Sequence, residues 1–151
     1  MDNTYKITTH SDAETIEIAE NLESKKFPNM VICLNGDLGS GKTVFTKGFA
    51  GAMAIDEVTS PTFNIIKEYN GELPLFHMDV YRTNGKVDGL GIEEYFYKDG
   101  VTIIEWAEMI EDILPSERLD ITFKITGENN RVMVITPHGE KYIAVCEEAI
   151  W

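Results

Sequence analysis

The chain has 151 residues, 43% hydrophobic and 26% charged, the size and make-up of one globular domain spanning 1–151. Its formal net charge of −13, from 26 acidic and 13 basic residues, leaves no basic stripe for a phosphate backbone and argues against direct nucleic-acid binding. No apolar run is long enough to span a bilayer, so no membrane association is expected.

The N-terminal MDNTYK lacks the charged start and apolar core of a signal peptide, and a reduced, cytoplasmic protein is expected. TYKITT (4–9) predicts a short strand. Ser11 and Glu14 stand at capping-box spacing, and Ala13, Ile16, Ala19 and Leu22 give SDAETIEIAENLESKK (11–26) a helical period. MVICLNG (30–36) is a continuous apolar run ending in glycine, the pattern of a strand buried on both faces, with Cys33 as a small buried hydrophobe. TVFTKGFAGAM (43–53) continues as a helix whose glycines either weaken it or permit close packing. TFNIIKEY (62–69) and LPLFHMDVY (73–81) flank the turn-forming NGE and predict a hairpin. A short helix closed by Gly100 is expected in VDGLGIEEYFYKDG, then a buried strand in VTIIEW (101–106) and a short acidic helix to Leu114. LDITFKITG, RVMVITPHG and KYIAVCEEAIW alternate like three strands of a C-terminal meander. With helices early and strands late, the order predicts an α/β domain with a mixed sheet flanked by helices. The sheet should be parallel around residues 36–43 and antiparallel toward the end.

Between the strand at 30–36 and the helix after it lies GDLGSGKT, in which Gly36, Gly41, Lys42 and Thr43 match GxxxxGKT, the P-loop pattern. Glycines let successive N–H groups turn inward as a nest for phosphate oxygens, and the helix start adds unsatisfied N–H groups. Lys42 then reaches the outer phosphates and the Thr43 hydroxyl can ligate Mg²⁺. The plain alternative is a strand-to-helix turn and nothing more. A P-loop also needs an acidic residue at a neighbouring strand end, and both Asp79 in LFHMDVYR and Glu105 in VTIIEW qualify. His77 and Arg82 flank Asp79; the first reads as structural, the second as a charge-stabilising group in cis or simply a partner for a carboxylate. VTSPTFNI (58–65) is either a proline-set turn or a switch loop in which Thr62 senses the γ-phosphate. Trp106 is either a core aromatic or a reporter beside the site.

GDLGSGKT, SPTF, HMDVYR and IIEWAE, in that order within 151 residues, resemble the TsaE (YjeE) family of small P-loop ATPases of bacterial tRNA threonylcarbamoyladenosine synthesis. The resemblance runs from TTHSDAET to the C-terminal strands and implies an ATPase assisting TsaB and TsaD, the latter transferring the threonylcarbamoyl group to tRNA. It implies phosphate binding from Gly36, Asp37 and Leu38 through Gly39, Ser40 and Gly41 to Lys42 and Thr43, with Val44 adjoining. It further implies Mg²⁺ ligation by Thr43 and Glu105, support of hydrolysis by Thr62 and Asp79, and Trp106 in a mobile segment beside the site. Ser11 or Asp12 and Arg131 correspond to further nucleotide-side positions. Ser40 stands where alanine is common in the family. The acidic charge leaves the tRNA contact to the partners.

The expected chemistry is hydrolysis of ATP, slow in the chain alone and faster with its partners. Two rivals share the loop. A small-molecule kinase usually has an arginine-rich lid, against which stand three scattered arginines, Arg82, Arg118 and Arg131. A GTPase-like switch usually carries NKxD, and the nearest string here, TNGK, lacks the aspartate. A nucleotide-binding subunit that never hydrolyses is the third alternative.

Overall fold

The computed structural model of the chain describes residues 4–56, 58 and 65–150. In chain order these form β1 (Tyr5–Thr9), α1 (Asp12–Glu23), β2 (Met30–Gly36), α2 (Lys42–Ala52), β3 (Ile66–Tyr69), β4 (Leu75–Asp79), α3 (Ile92–Tyr95), β5 (Val101–Glu105), β6 (Arg118–Ile125), β7 (Arg131–His138) and α4 (Glu140–Ala149). Two 3₁₀ segments, Tyr81–Thr83 and Ala107–Ile113, follow β4 and β5.

The described strands make one sheet in the order β1-β7-β6-β2-β5-β4-β3. Its centre is parallel, with β2 between β5 and β6 and β4 beyond β5. Both margins are antiparallel: β3 pairs with β4 as the expected hairpin, and β7 lies between β6 and β1. The mixed sheet read from the sequence is therefore the sheet observed. The first residues of TFNIIKEY lie outside the described ones.

The apolar run of β2 sits at mid-sheet because both of its faces are covered, which removes the need for polar alternation. Met30, Ile32 and Leu34 point to one side and pack with Phe45 and Phe49 of α2, Ala19 and Leu22 of α1, and Val145 of α4. Val31 and Cys33 point to the other, against Ile92, Phe96, Ala107 and Ile110. Burial raises the Cys33 thiol well above the ordinary thiol range, consistent with a packing role. The Ser11 cap forms as expected, its hydroxyl accepting from the Glu14 N–H at 3.2 Å, but the return bond falls one residue earlier than a capping box places it: the Glu14 carboxylate accepts from the His10 N–H at 2.8 Å. The buried stripe of α1 differs slightly from the expected one, with Thr15, Ala19 and Leu22 inside and Ala13 exposed. Gly48 decides between the two readings of the α2 glycines. A Cβ there would lie 3.0 Å from the Cα of Ile16, so its smallness lets α2 approach α1.

Three expectations need correction. KYIAVCEEAIW is not a strand but α4. Its buried residues Tyr142, Val145, Cys146 and Ala149 recur at i, i+3, i+4 and i+7, a helical stripe that packs beside the sheet. The segment holds enough apolar residues to fit a period of two or of 3.6, and tertiary packing selects the second. In the 87–100 stretch only one helical turn forms, between the left-handed Gly91 and Phe96, and the acidic helix before Leu114 is 3₁₀ with a kink at Ile110.

Tyr142 ties α4 to the sheet: its hydroxyl accepts from the Val31 N–H at 2.8 Å, next to the position where β2 begins its pairing with β6. Tyr142→Phe should lower unfolding free energy by about 1–3 kcal/mol by leaving that buried N–H without an acceptor, measured by denaturant unfolding. Burial also pushes the phenol from 10.0 up to about 12. The neutral hydroxyl is the form that folding favours, so its contribution is intact below pH 10.0 and is lost as pH rises toward about 12. The phenylalanine variant should show a flatter stability curve over that window.

Candidate functional site

The site lies at the C-terminal ends of the parallel strands, where topology places ligand crevices in open α/β sheets. The chain leaves β2 at Gly36, runs through residues 37–41 and enters α2 at Lys42. Gly36 and Gly41 have φ of 140° and 115°, values that a side chain resists. A Cβ at Gly36 would also meet the carbonyl oxygen of Phe123 at 2.6 Å, so close passage beside β6 requires glycine there. No side chain caps α2, which leaves its first-turn N–H groups to another acceptor.

Lys42 is buried and folds back over the loop. Its ammonium donates to the carbonyl oxygens of Gly36 and of Asp37, the latter at 3.0 Å, and lies 4.0 Å from the centroid of the Trp106 ring. Burial lowers its pKa, and the carboxylates of Glu105, Glu108, Asp79 and Asp37 oppose that shift. The next residue, Thr43, donates its hydroxyl to Glu105 Oε1 at 3.1 Å. Glu105 ends β5 and is itself buried; its other oxygen lies 2.6 Å from Nε2 of His77 on β4. The parallel register pairs Asp79 with Glu105 at the same sheet end. Asp79 accepts from the Tyr81 N–H at 3.0 Å, and burial raises its pKa despite that bond.

These groups face a cleft of about 830 Å³, also lined by Asp12, Arg82, Lys86 and Arg131. Arg131 starts β7 and reaches across to the loop, donating to the carbonyl oxygen of Gly39 at 3.2 Å while a second guanidinium nitrogen donates to the carbonyl oxygens of Gly127 and Asn130. Trp106 has a left-handed backbone, φ 64°, and its ring lies 4.6 Å from that of Tyr81. A non-glycine residue in that region is strained unless its surroundings hold it. Here its N–H donates to the Leu34 carbonyl at 2.9 Å.

Most of the residues singled out from the sequence therefore meet at one place. Leu38, Gly39, Gly41, Lys42, Thr43, Val44, Asp79, Glu105, Trp106, Arg131 and Asp12 all line the cleft. Gly36 and Asp37 hold the Lys42 ammonium through their carbonyls. Ser40 is buried, and its hydroxyl has no hydrogen-bond partner among the described residues. Ser11 does not join the cleft lining, and its hydroxyl serves α1 as a cap. Thr62 lies outside the described residues. Sequence reasoning missed Tyr81 as the neighbour of Trp106 and the link from His77 to Glu105. The second had a signal: His77 and Asp79 are two apart on a strand and so share a face.

Chemically, the arrangement offers the uncapped start of α2 and an ammonium to a polyanion. Thr43 and Glu105 add a pair of hard oxygen donors, able to hold a small divalent cation whose remaining ligands come from phosphate and water. Four carboxylates close to Lys42 would repel a bare polyphosphate, which makes such a cation a fitting intermediary.

A family model described as Threonylcarbamoyl adenosine biosynthesis protein TsaE matches residues 9–133. The chain is 49% identical over 145 residues to the tRNA threonylcarbamoyladenosine biosynthesis protein TsaE of Bacillus subtilis (strain 168), covering 95% of this chain and 92% of that protein. It is 40% identical over 108 residues to the protein of the same name from Treponema pallidum (strain Nichols), covering 70% and 80% respectively. Among solved structures, Bacillus subtilis YdiB matches with a TM-score of 0.87 at 45% identity, over 99% of this chain and 95% of that one.

Proposed function

The chain belongs to the TsaE family, and from that premise and the geometry of its cleft we propose that it binds ATP with Mg²⁺ and hydrolyses it in support of threonylcarbamoyladenosine formation on tRNA. The observation that carries this reading is the loop from Gly36 to Thr43, closed on one side by the bond from the Thr43 hydroxyl to the Glu105 carboxylate. The names of the relatives supply the pathway, and the chemistry of the loop supplies the substrate class.

ATP places its β- and γ-phosphates against the loop N–H groups and the open start of α2. Lys42, already pointed along the loop, exchanges carbonyl partners for phosphate oxygens and stabilises the charge that develops as the terminal P–O bond breaks. Thr43 and Glu105 are the residues that would hold Mg²⁺, which when bound neutralises part of the charge on the β- and γ-phosphates. Asp79, half-buried at the neighbouring strand end, orients the water that attacks in line. Its raised pKa suits a group that accepts a hydrogen bond from water. Arg82 also lines the cleft, and its part in this reading is to stabilise charge on the transferring phosphoryl group in cis. Trp106 and Tyr81 wall the side nearest Lys42.

The partners in this reading are TsaB and TsaD, and they make the contact with tRNA, because a chain of net charge −13 repels a phosphate backbone at low and physiological salt. No described helix is long and apolar enough to cross a membrane; a cytoplasmic reaction is part of the proposal. Phosphate release measured with and without a TsaB–TsaD pair should show slow turnover alone and faster turnover in the complex. Equal rates would count against the partnership, and ADP formation without free phosphate would favour a kinase.

A further inference from the structure

Glu105 is a buried carboxylate, 3% exposed, and such a group is stable only where donors meet both of its oxygens. One oxygen takes the Thr43 hydroxyl at 3.1 Å and the other lies 2.6 Å from His77 Nε2. These two donors differ in kind. Thr43 sits on the loop side of the cleft, and its hydroxyl has a second task when a cation arrives. His77 belongs to the interior of β4, fully buried and paired in register with Ile103 two residues before Glu105. Nothing in the cleft competes for it.

The other ring nitrogen of His77 fixes its tautomer. Nδ1 is buried with no hydrogen-bond partner among the described residues. A proton on Nδ1 would be an orphaned buried donor, and moving it to Nε2 turns the orphan into a lone pair while giving Glu105 a donor. The ring N–H on Nε2 then points at the carboxylate. Building on the reading of the cleft as a Mg²⁺–ATP site, we propose that His77 is a positioning residue: it holds Glu105 Oε2 from the sheet side so that Oε1 stays aimed at Thr43, the residue with which it would hold the cation. Partners of this kind behind a metal-ligating carboxylate set its orientation, and removing them typically costs about 10–100-fold in metal affinity.

The test is calorimetric titration of ATP into the chain, once with Mg²⁺ and once with EDTA, for the wild type, His77→Leu and His77→Gln. His77→Leu should reduce the Mg²⁺-dependent gain in affinity by roughly tenfold and leave the EDTA affinity unchanged. His77→Gln, whose amide can reach the same oxygen, should restore the gain to within about threefold. If His77→Leu does not fold, His77→Asn, polar but too short to reach Glu105, takes its place against the glutamine. Long-range ¹H–¹⁵N spectra of the nucleotide-free chain should show His77 as the Nε2–H tautomer. An Nδ1–H tautomer, a full Mg²⁺ gain in His77→Leu, or an equal loss with and without Mg²⁺ would overturn the proposal alone. A wild type that gains nothing from Mg²⁺ would overturn the reading of the cleft and this role with it.

Discussion

Lys42→Ala should weaken ATP binding by about 3 kcal/mol, roughly a hundredfold, and leave the fold intact. The ammonium is buried among the loop carbonyls of Gly36 and Asp37 with the Trp106 ring over it. When a triphosphate displaces those carbonyls, the neutral partners give way to charged ones and each contact strengthens. Alanine removes that gain and leaves the phosphates facing Glu105, Glu108, Asp79 and Asp37, the carboxylates whose field already acts on Lys42. The nucleotide-free protein should tolerate the change, because a charge whose burial carries a desolvation cost is being removed. Isothermal calorimetry and thermal unfolding on the same preparation separate the two effects. A variant that binds ATP as the wild type does would remove the ammonium from the account.

Glu105→Gln should reduce Mg²⁺-dependent ATP hydrolysis by roughly a hundredfold while nucleotide uptake in EDTA persists. The substitution keeps the size of the side chain and one carbonyl oxygen, and deletes the charge that would meet the cation. Because Thr43 and His77 both donate to this carboxylate, the amide can satisfy only one of them well, and a modest loss of thermal stability accompanies the loss of rate. Asp79→Asn is the informative contrast. Asp79 is half-buried and, among the described residues, its carboxylate accepts from the Tyr81 N–H, so its removal should lower turnover with less effect on Mg²⁺ dependence. Single-turnover phosphate release over a Mg²⁺ series distinguishes the two carboxylates.

How much of this was visible in the sequence follows from how local each feature is. The loop was legible because its geometry is written into consecutive residues: glycines where φ is positive, then lysine and threonine at the start of α2. The central strands were legible because burial on both faces leaves an unbroken apolar run, as in Met30–Gly36 and Val101–Glu105. The pairing of the Ser11 cap was legible for the same reason, although the cap, rather than the cleft, turned out to employ that hydroxyl. The last element was misread because an apolar segment of that length fits two periods, and only packing against the sheet decides between them. The bond from His77 to Glu105 crosses from β4 to β5, and the register that creates it is a property of the sheet rather than of either strand. Tyr81 meets Trp106 for a like reason, each following the end of a neighbouring strand.

The most direct test is a crystal structure of the chain with a non-hydrolysable ATP analogue and Mg²⁺. The outer phosphates should rest against the N–H groups of residues 39–43 with Lys42 turned from the loop carbonyls onto them, and the metal should be shared by the Thr43 hydroxyl and a Glu105 oxygen. Nucleotide bound elsewhere on the molecule, or a loop that keeps Lys42 on its own carbonyls while the analogue is present, would contradict the claim that residues 36–43 are a triphosphate cradle.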